Sequence, residues 1–197
     1  FQVDVYENKS QTGGMVSGAI PSFRLTNDTY LKDLKRIEKA GVKIHFNIDI
    51  SKDNFEAIKE MSDFVYIATG APRTRKFKIE NIEAGGVIDP LDFLFKVKEG
   101  KRIQLGKNIA IVGGGNTAMD AARTAYRLSD EDAKITILYR RTMDAMPADQ
   151  GEIRAVLEEG MEIQELVLPV KVNTENGRVK SLTCIRMKLE GMDAAGR

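Results

Sequence analysis

The sequence has no tryptophan, one cysteine and one histidine in 197 residues. The missing tryptophan says nothing about function. The single thiol, Cys184, excludes an internal disulfide and any Cys-x-x-Cys redox pair within these residues, which suits a reducing cytoplasm. The lone imidazole, His45, lies in a strand-like run with no Ser, Cys or ligand partner near it in sequence, so it reads as a strand surface residue rather than a catalyst. We assign no metal site. Neither sign of charge dominates: 30% of residues are charged and the net charge is +1, so nothing points to nucleic acid or an anionic membrane. No apolar run reaches the ~20 residues a membrane-spanning helix needs, and no stretch reads as a signal peptide. The length suffices for one large domain or two small ones. Phe1–Glu7 opens with strand-like alternation and no Met, and Gly191–Arg197 is a polar loop, so the chain reads as a fragment.

What is present is organised around Lys107–Arg141. Ile109–Val112 is short and β-branched, as a buried strand should be. Gly113, Gly115 and Ala118 then match Gly-x-Gly-x-x-Gly/Ala, the strand–turn–helix fingerprint that holds a dinucleotide. Gly113 allows the tight turn. Gly115, without a Cβ, lets a pyrophosphate approach the backbone. Ala118 lets helix and strand pack closely, and the free N–H groups and positive dipole end of the helix face the phosphates. Ala118, Ala121, Ala122 and Ala125 form one small helix face suited to lying on a sheet. A second strand, Lys134–Tyr139, ends in Arg140 and Arg141. An acid at this point would bind a ribose 2′-hydroxyl, whereas arginine grips a 2′-phosphate, so the pair favours NADPH over NADH. The bland alternative is a phosphate-binding turn serving another nucleotide, or none.

Along the rest of the chain, Val3 and Val5 alternate with polar residues up to Glu7. A strand ending in an acid suits the second half of a nucleotide-binding unit, with Glu7 on a ribose hydroxyl; taken alone, Glu7 is an ordinary solvated strand end. Gly13–Leu25 reads as a long loop whose adjacent glycines suit a backbone passing close to a ligand. Asn27 or Asp28 is the expected cap of a helix bearing Tyr30, Leu34 and Ile37 and stopping at Gly41. Val42–Phe46 is a strand and Lys52–Met61 a short helix. Phe64–Ala68 reads as a buried strand, ending in a Thr69–Gly70–Ala71 turn at the ligand-binding edge of a sheet. Arg73, Arg75, Lys76 and Lys78 form a solvated basic loop. Residues 71–106 look like an inter-domain crossing interrupted by one helix around Leu91, Leu94 and Phe95. A helix over about Asp149–Glu159, a third strand Glu162–Val167, and a hairpin turning at Asn176–Gly177 complete the pattern. Inert packing is the reading for Cys184 on that hairpin.

Four separate stretches, Gly13–Leu25, Ile67–Ala71, Val112–Arg123 and Tyr139–Thr142 with Met146–Ala148, resemble the small (β) subunit of NADPH-dependent glutamate synthase and related FAD-dependent pyridine nucleotide oxidoreductases. The resemblance covers nearly the whole chain. It implies an α/β fold in which a Rossmann-like NAD(P)H-binding domain with a parallel sheet and β-meander insertion (89–197) joins a partial FAD-binding domain (1–88). Glu7, Gly13, Gly14, Met15 and Arg24 would touch FAD. Gly114, Gly115, Asn116, Thr117 and Ala118 would hold the NADPH pyrophosphate, and Arg140 and Arg141 its 2′-phosphate. Members often carry Arg where this chain has Met143, and the upstream FAD glycine turn is not in this sequence. The implied chemistry is hydride transfer from NADPH to FAD with no catalytic side chain, then electron transfer to iron–sulfur clusters outside these residues or on a partner such as the glutamate synthase large subunit. The alternatives are a ferredoxin:NADP oxidoreductase of the same build and a non-catalytic NADP(H) sensor.

Overall fold

Alternation at Val3 and Val5 produces β1 (Asp4–Tyr6), which pairs in parallel with β2 (Lys43–His45), Asp4 opposite Lys43 and Tyr6 opposite His45. Parallel neighbours need a crossover. Here it contains α1 (Gly14–Gly18) and α2 (Asn27–Lys39), and α3 (Lys52–Glu60) follows the second strand. The computed structural model describes residues 1–74, 77–189 and 191, so Arg75 and Lys76 of the expected basic loop and most of the expected polar tail lie outside the described residues. The chain divides into two units, Phe1–Arg73 with Lys98–Gly100 and Thr74–Val97 with Lys101–Arg197.

In the first unit three expectations are corrected. Gly13–Leu25 is not all loop: α1 forms inside it, with Gly13 at φ 102 turning the chain into the helix and Ser17, Gly18 and Ala19 buried. The cap of α2 is Thr26, not Asn27 or Asp28, and its side chain caps no amide; its hydroxyl lies 2.9 Å from that of Thr29. Phe64–Ala68 is no strand, so Thr69–Ala71 is not a turn at a sheet edge. Phe64, Tyr66 and Ile67 are 83%, 91% and 70% exposed. A strand exists only where a neighbour takes its N–H and C=O groups, and among the described residues no strand pairs with this segment.

The second unit holds most of the core. α4 (Pro90–Lys98) buries Leu91, Phe93 and Leu94. A three-stranded parallel sheet follows, β3 (Asn108–Val112), β4 (Lys134–Leu138) and β5 (Glu162–Gln164), in the order β3-β4-β5. α5 (Asn116–Leu128) joins the first two strands, and α6 (Gln150–Glu158) the second and third. The small face of α5 is buried as expected: Ala118, Ala121, Ala122 and Ala125 are 8%, 2%, 0% and 1% exposed. The third strand is shorter than Glu162–Val167, because Leu166 adopts φ 56, a left-handed conformation that no strand continues through. Beyond it β6 (Val167–Glu175) and β7 (Arg178–Arg186) form an antiparallel hairpin. Both turn residues, Asn176 (φ 53) and Gly177 (φ 74), are left-handed, as a type I′ turn requires. Segment 80–85 adds parallel bridges, Glu80 to Lys171 and Gly85 to Arg178, so part of the expected crossing belongs to this sheet.

Candidate functional site

The glycine turn sits where β3 ends and α5 begins. Gly113, at φ 139, donates its amide to the Leu138 carbonyl (3.1 Å), and a Cβ there would lie 3.5 Å from that of Ala118, the close helix–strand approach anticipated for this pair. Gly114 is the tightest position: a Cβ would stand 2.6 Å from the Tyr139 ring and 3.0 Å from Met146 Cγ. Gly115 is the N-cap of α5, and a Cβ built on it meets nothing within 4 Å. Among the described residues no backbone acceptor takes the amides of Gly115, Asn116 and Thr117. The turn is therefore closed on the Gly114 side and open on the Gly115 side. Unclaimed donors at the positive end of a thirteen-residue helix are what a phosphate needs.

Arg140 and Arg141 leave the neighbouring strand at the same edge, since Val112 and Leu138 are paired in register. Arg140 is exposed and Arg141 half-buried, and neither pairs with an acid among the described residues. Two unpaired guanidinium groups beside free amides form a doubly positive edge able to grip phosphate. By contrast Arg123 and Arg127 are committed. Arg123 bonds Glu152 (2.7 Å) and Glu159 (2.9 Å), and Arg127 bonds Glu159 (2.8 Å), tying α5 to α6. The hydrogen bond to Glu159 is the main reason that Arg123 titrates above its usual range.

Sequence reasoning missed what holds the arginine segment in place. The Tyr139 hydroxyl donates to the Ala145 carbonyl (2.8 Å), and a 3-10 turn, Met143–Ala145, folds Met146 and Ala148 into buried positions. Ala148 donates its amide to the Gly114 carbonyl (3.1 Å) and Asp149 donates its own to Asn116 Oδ1 (2.8 Å). On the other flank the Leu166 amide reaches the Arg141 carbonyl (3.1 Å) and the Glu165 carboxylate accepts from the Met143 amide. One signal was legible: a third glycine, Gly114, in a slot the fingerprint leaves variable.

In the first unit Glu7 directly follows β1, and its carboxylate accepts from the Lys9 amide (2.9 Å). Gly13, Gly14 and Met15 lie at the start of α1; Gly14 has φ 50 and open space around it. Arg24 is exposed, in the turn that follows Pro21. Lys98 donates to the Ile20 carbonyl (3.1 Å), and partial burial lowers its pKa. His45 lies 2.7 Å from Asp4 Oδ1, stacked on Tyr6, and that bond lowers the Asp4 pKa. Cys184 is exposed, and desolvation raises its thiol pKa, away from the reactive thiolate. Among the described residues no three His, Cys, Asp or Glu side chains converge on a metal site, and no helix is long and apolar enough to cross a membrane.

Residues 30–192 match the sequence profile of a family described as pyridine nucleotide-disulphide oxidoreductase. The chain is 37% identical over 190 residues to the NADPH-Fe(3+) oxidoreductase subunit beta of Geobacter sulfurreducens, covering 94% of this chain and 28% of that protein. It is 32% identical over 207 residues to the putative NADPH glutamate synthase small chain of Cereibacter sphaeroides, covering 100% of this chain and 49% of that one. The chain thus spans half or less of these relatives. A solved structure, Mycobacterium tuberculosis FprA in complex with NADPH, matches in fold with a TM-score of 0.82 at 16% identity, covering 100% of this chain and 59% of that one.

Proposed function

The chain belongs to the pyridine nucleotide-disulphide oxidoreductase family, and on that footing we propose that it is part of an NADPH-dependent flavin reductase of the glutamate synthase small-subunit type. The observation that carries the reading is the open side of the Gly113–Ala118 turn, with unclaimed amides, next to the unpaired Arg140 and Arg141. Gly114, Gly115, Asn116, Thr117 and Ala118 would hold the pyrophosphate of NADPH and the two arginines its 2′-phosphate. Glu7, Gly13, Gly14, Met15 and Arg24 would contribute the part of an FAD site that these residues contain. We read the N-terminal portion, 1–88, as a partial FAD-binding domain and 89–197 as the NAD(P)H-binding domain.

When bound, the two cofactors supply the hydride donor and acceptor; this chain's residues bind and orient them, and no side chain is required to move a proton. Despite the family's name, the one cysteine here stands alone on the hairpin, so no dithiol of this chain receives electrons. In this reading the acceptors would be iron–sulfur clusters on other polypeptide segments or on a partner subunit in a reducing cytoplasm, and the electrons would serve glutamate synthesis. The relative named an NADPH-Fe(3+) oxidoreductase subunit, at higher identity than the glutamate synthase chain, favours a second reading: the same NADPH-to-flavin half-reaction feeding another acceptor, as a ferredoxin:NADP oxidoreductase would.

The test uses the full-length polypeptide under anaerobic conditions. A yellow protein whose flavin band bleaches with NADPH supports the reductase; a colourless one that binds NADPH favours a sensor. Arg140→Ala should weaken NADPH by roughly tenfold to a hundredfold, from the ~1.5–3 kcal/mol of a charged hydrogen bond, and hardly change NADH. Equal loss for both would end the 2′-phosphate assignment.

A further inference from the structure

The segment bearing the arginines is fastened to the turn that would receive the pyrophosphate. Asn116 is the first residue of α5, and the proposed site would use its backbone amide. Its side chain faces elsewhere, accepting the Asp149 amide at 2.8 Å. Asp149 is itself the N-cap of α6, its carboxylate accepting from the Gly151 amide at 2.8 Å. Between Arg141 and Asp149 the chain makes the 3-10 turn, buries Met146 and Ala148, and returns Ala148 N–H to the Gly114 carbonyl. The arginine-bearing strand end meets the glycine turn through the Gly113 amide on the Leu138 carbonyl, and the segment returns to it through Ala148 and Asp149, where Asn116 supplies the side-chain bond at the N-terminus of α6.

We propose that Asn116 is a positioning residue for dinucleotide specificity: by holding Asp149 it keeps the Arg140–Asp149 segment, and with it the guanidinium pair, at a fixed distance from the pyrophosphate turn. This rests on the NADPH reading above and adds which residue sets the discrimination. Losing one neutral hydrogen bond should loosen the segment without unfolding it, because Asn116 is exposed and contributes nothing to the core. NADPH and NADH share the pyrophosphate and differ at the 2′-position, so a loosened segment changes their ratio more than their common affinity.

The experiment measures NADPH and NADH dissociation constants, and hydrogen exchange at the Asp149 amide, on the full-length protein, Asn116→Ala and Asn116→Asp. Alanine should weaken NADPH about threefold to tenfold more than NADH and speed exchange at Asp149. Aspartate keeps the acceptor, so it should restore both the ratio and the protection; its extra charge repels the pyrophosphate common to both dinucleotides. An unchanged ratio in Asn116→Ala, equal loss for both dinucleotides, unchanged Asp149 protection, or failure of aspartate to restore the ratio overturns the proposal. If Arg140→Ala shifts the ratio and Asn116→Ala does not, only the positioning role falls. If the unmutated protein shows no NADPH preference, both readings fall together.

Discussion

Two helices of thirteen residues, α2 and α5, carry apolar stripes of similar quality and meet different fates. α5 buries seven residues against a three-stranded sheet. α2 buries none, and Ile37 on its apolar face is 45% exposed. The unit containing α2 has a two-stranded sheet and one buried hydrophobic side chain among the described residues, Ala19. Periodicity says which face of a helix is apolar. Whether anything covers that face depends on how many strands lie beneath it, and a stripe without a sheet releases no hydrophobic free energy.

The sharpest way to break this contrast is a pair of isoleucines. Ile137, fully buried on β4, should cost about 2–5 kcal/mol of stability when replaced by alanine. Ile67→Ala, at 70% exposure, should fall within about 0.5 kcal/mol. Urea denaturation of the 197-residue chain measures both; a large loss at Ile67 would mean that Phe64–Ala68 is covered in solution and the contrast is false. The next comparison sets two glycines side by side. Gly114→Ala forces a Cβ to within 2.6 Å of the Tyr139 ring, an overpacking worth about 1–3 kcal/mol. Gly14→Ala has open space and only a left-handed backbone to strain, worth about 1 kcal/mol. Equal melting temperatures for the two variants would show that the Gly114 turn is looser than described.

The smallest effect is pH-dependent and confined to the second unit. Burial acts to raise the Glu159 pKa, but hydrogen bonds from Arg127 and Arg123 leave it below the ordinary carboxylate range. A carboxyl depressed by folding contributes stability above its unfolded pKa and loses it as pH falls through the folded value. Glu159→Gln should therefore cost about 1 kcal/mol near pH 7, and that penalty should shrink steadily as the pH drops below about 4. Chemical denaturation at both ends of that range checks it; a penalty independent of pH would show that the α5–α6 clamp does not depend on charge.

Much of the second unit was legible from local chemistry. The β-branched runs, the small face of α5, and Asn176–Gly177 each specify their conformation through contacts within a few residues. The misses share a cause. Phe64–Ala68 has the composition of a strand but no partner, and the left-handed Leu166 ends β5 early where neighbouring backbone, not its own propensity, decides its conformation. In the candidate site, Gly113, Gly115 and Ala118 were readable by spacing. The parts played by Tyr139, Met146, Ala148 and Asp149 were not, because each touches the turn from 25 to 34 positions away.

By itself, then, the residue order determined a strand–turn–helix with small residues at the points of closest approach, and a cationic end on the strand that follows. Those properties depend on backbone sterics, the lack of a Cβ and permanent guanidinium charge, all of which act locally. Only the tertiary structure decided that the cationic end lies beside the turn, that Gly114 is sealed by an aromatic ring while Gly115 stays open, and that Asn116 spends its side chain on a distant amide. Register between parallel strands and contacts across long loops set these features, and no pattern within a single segment encodes them.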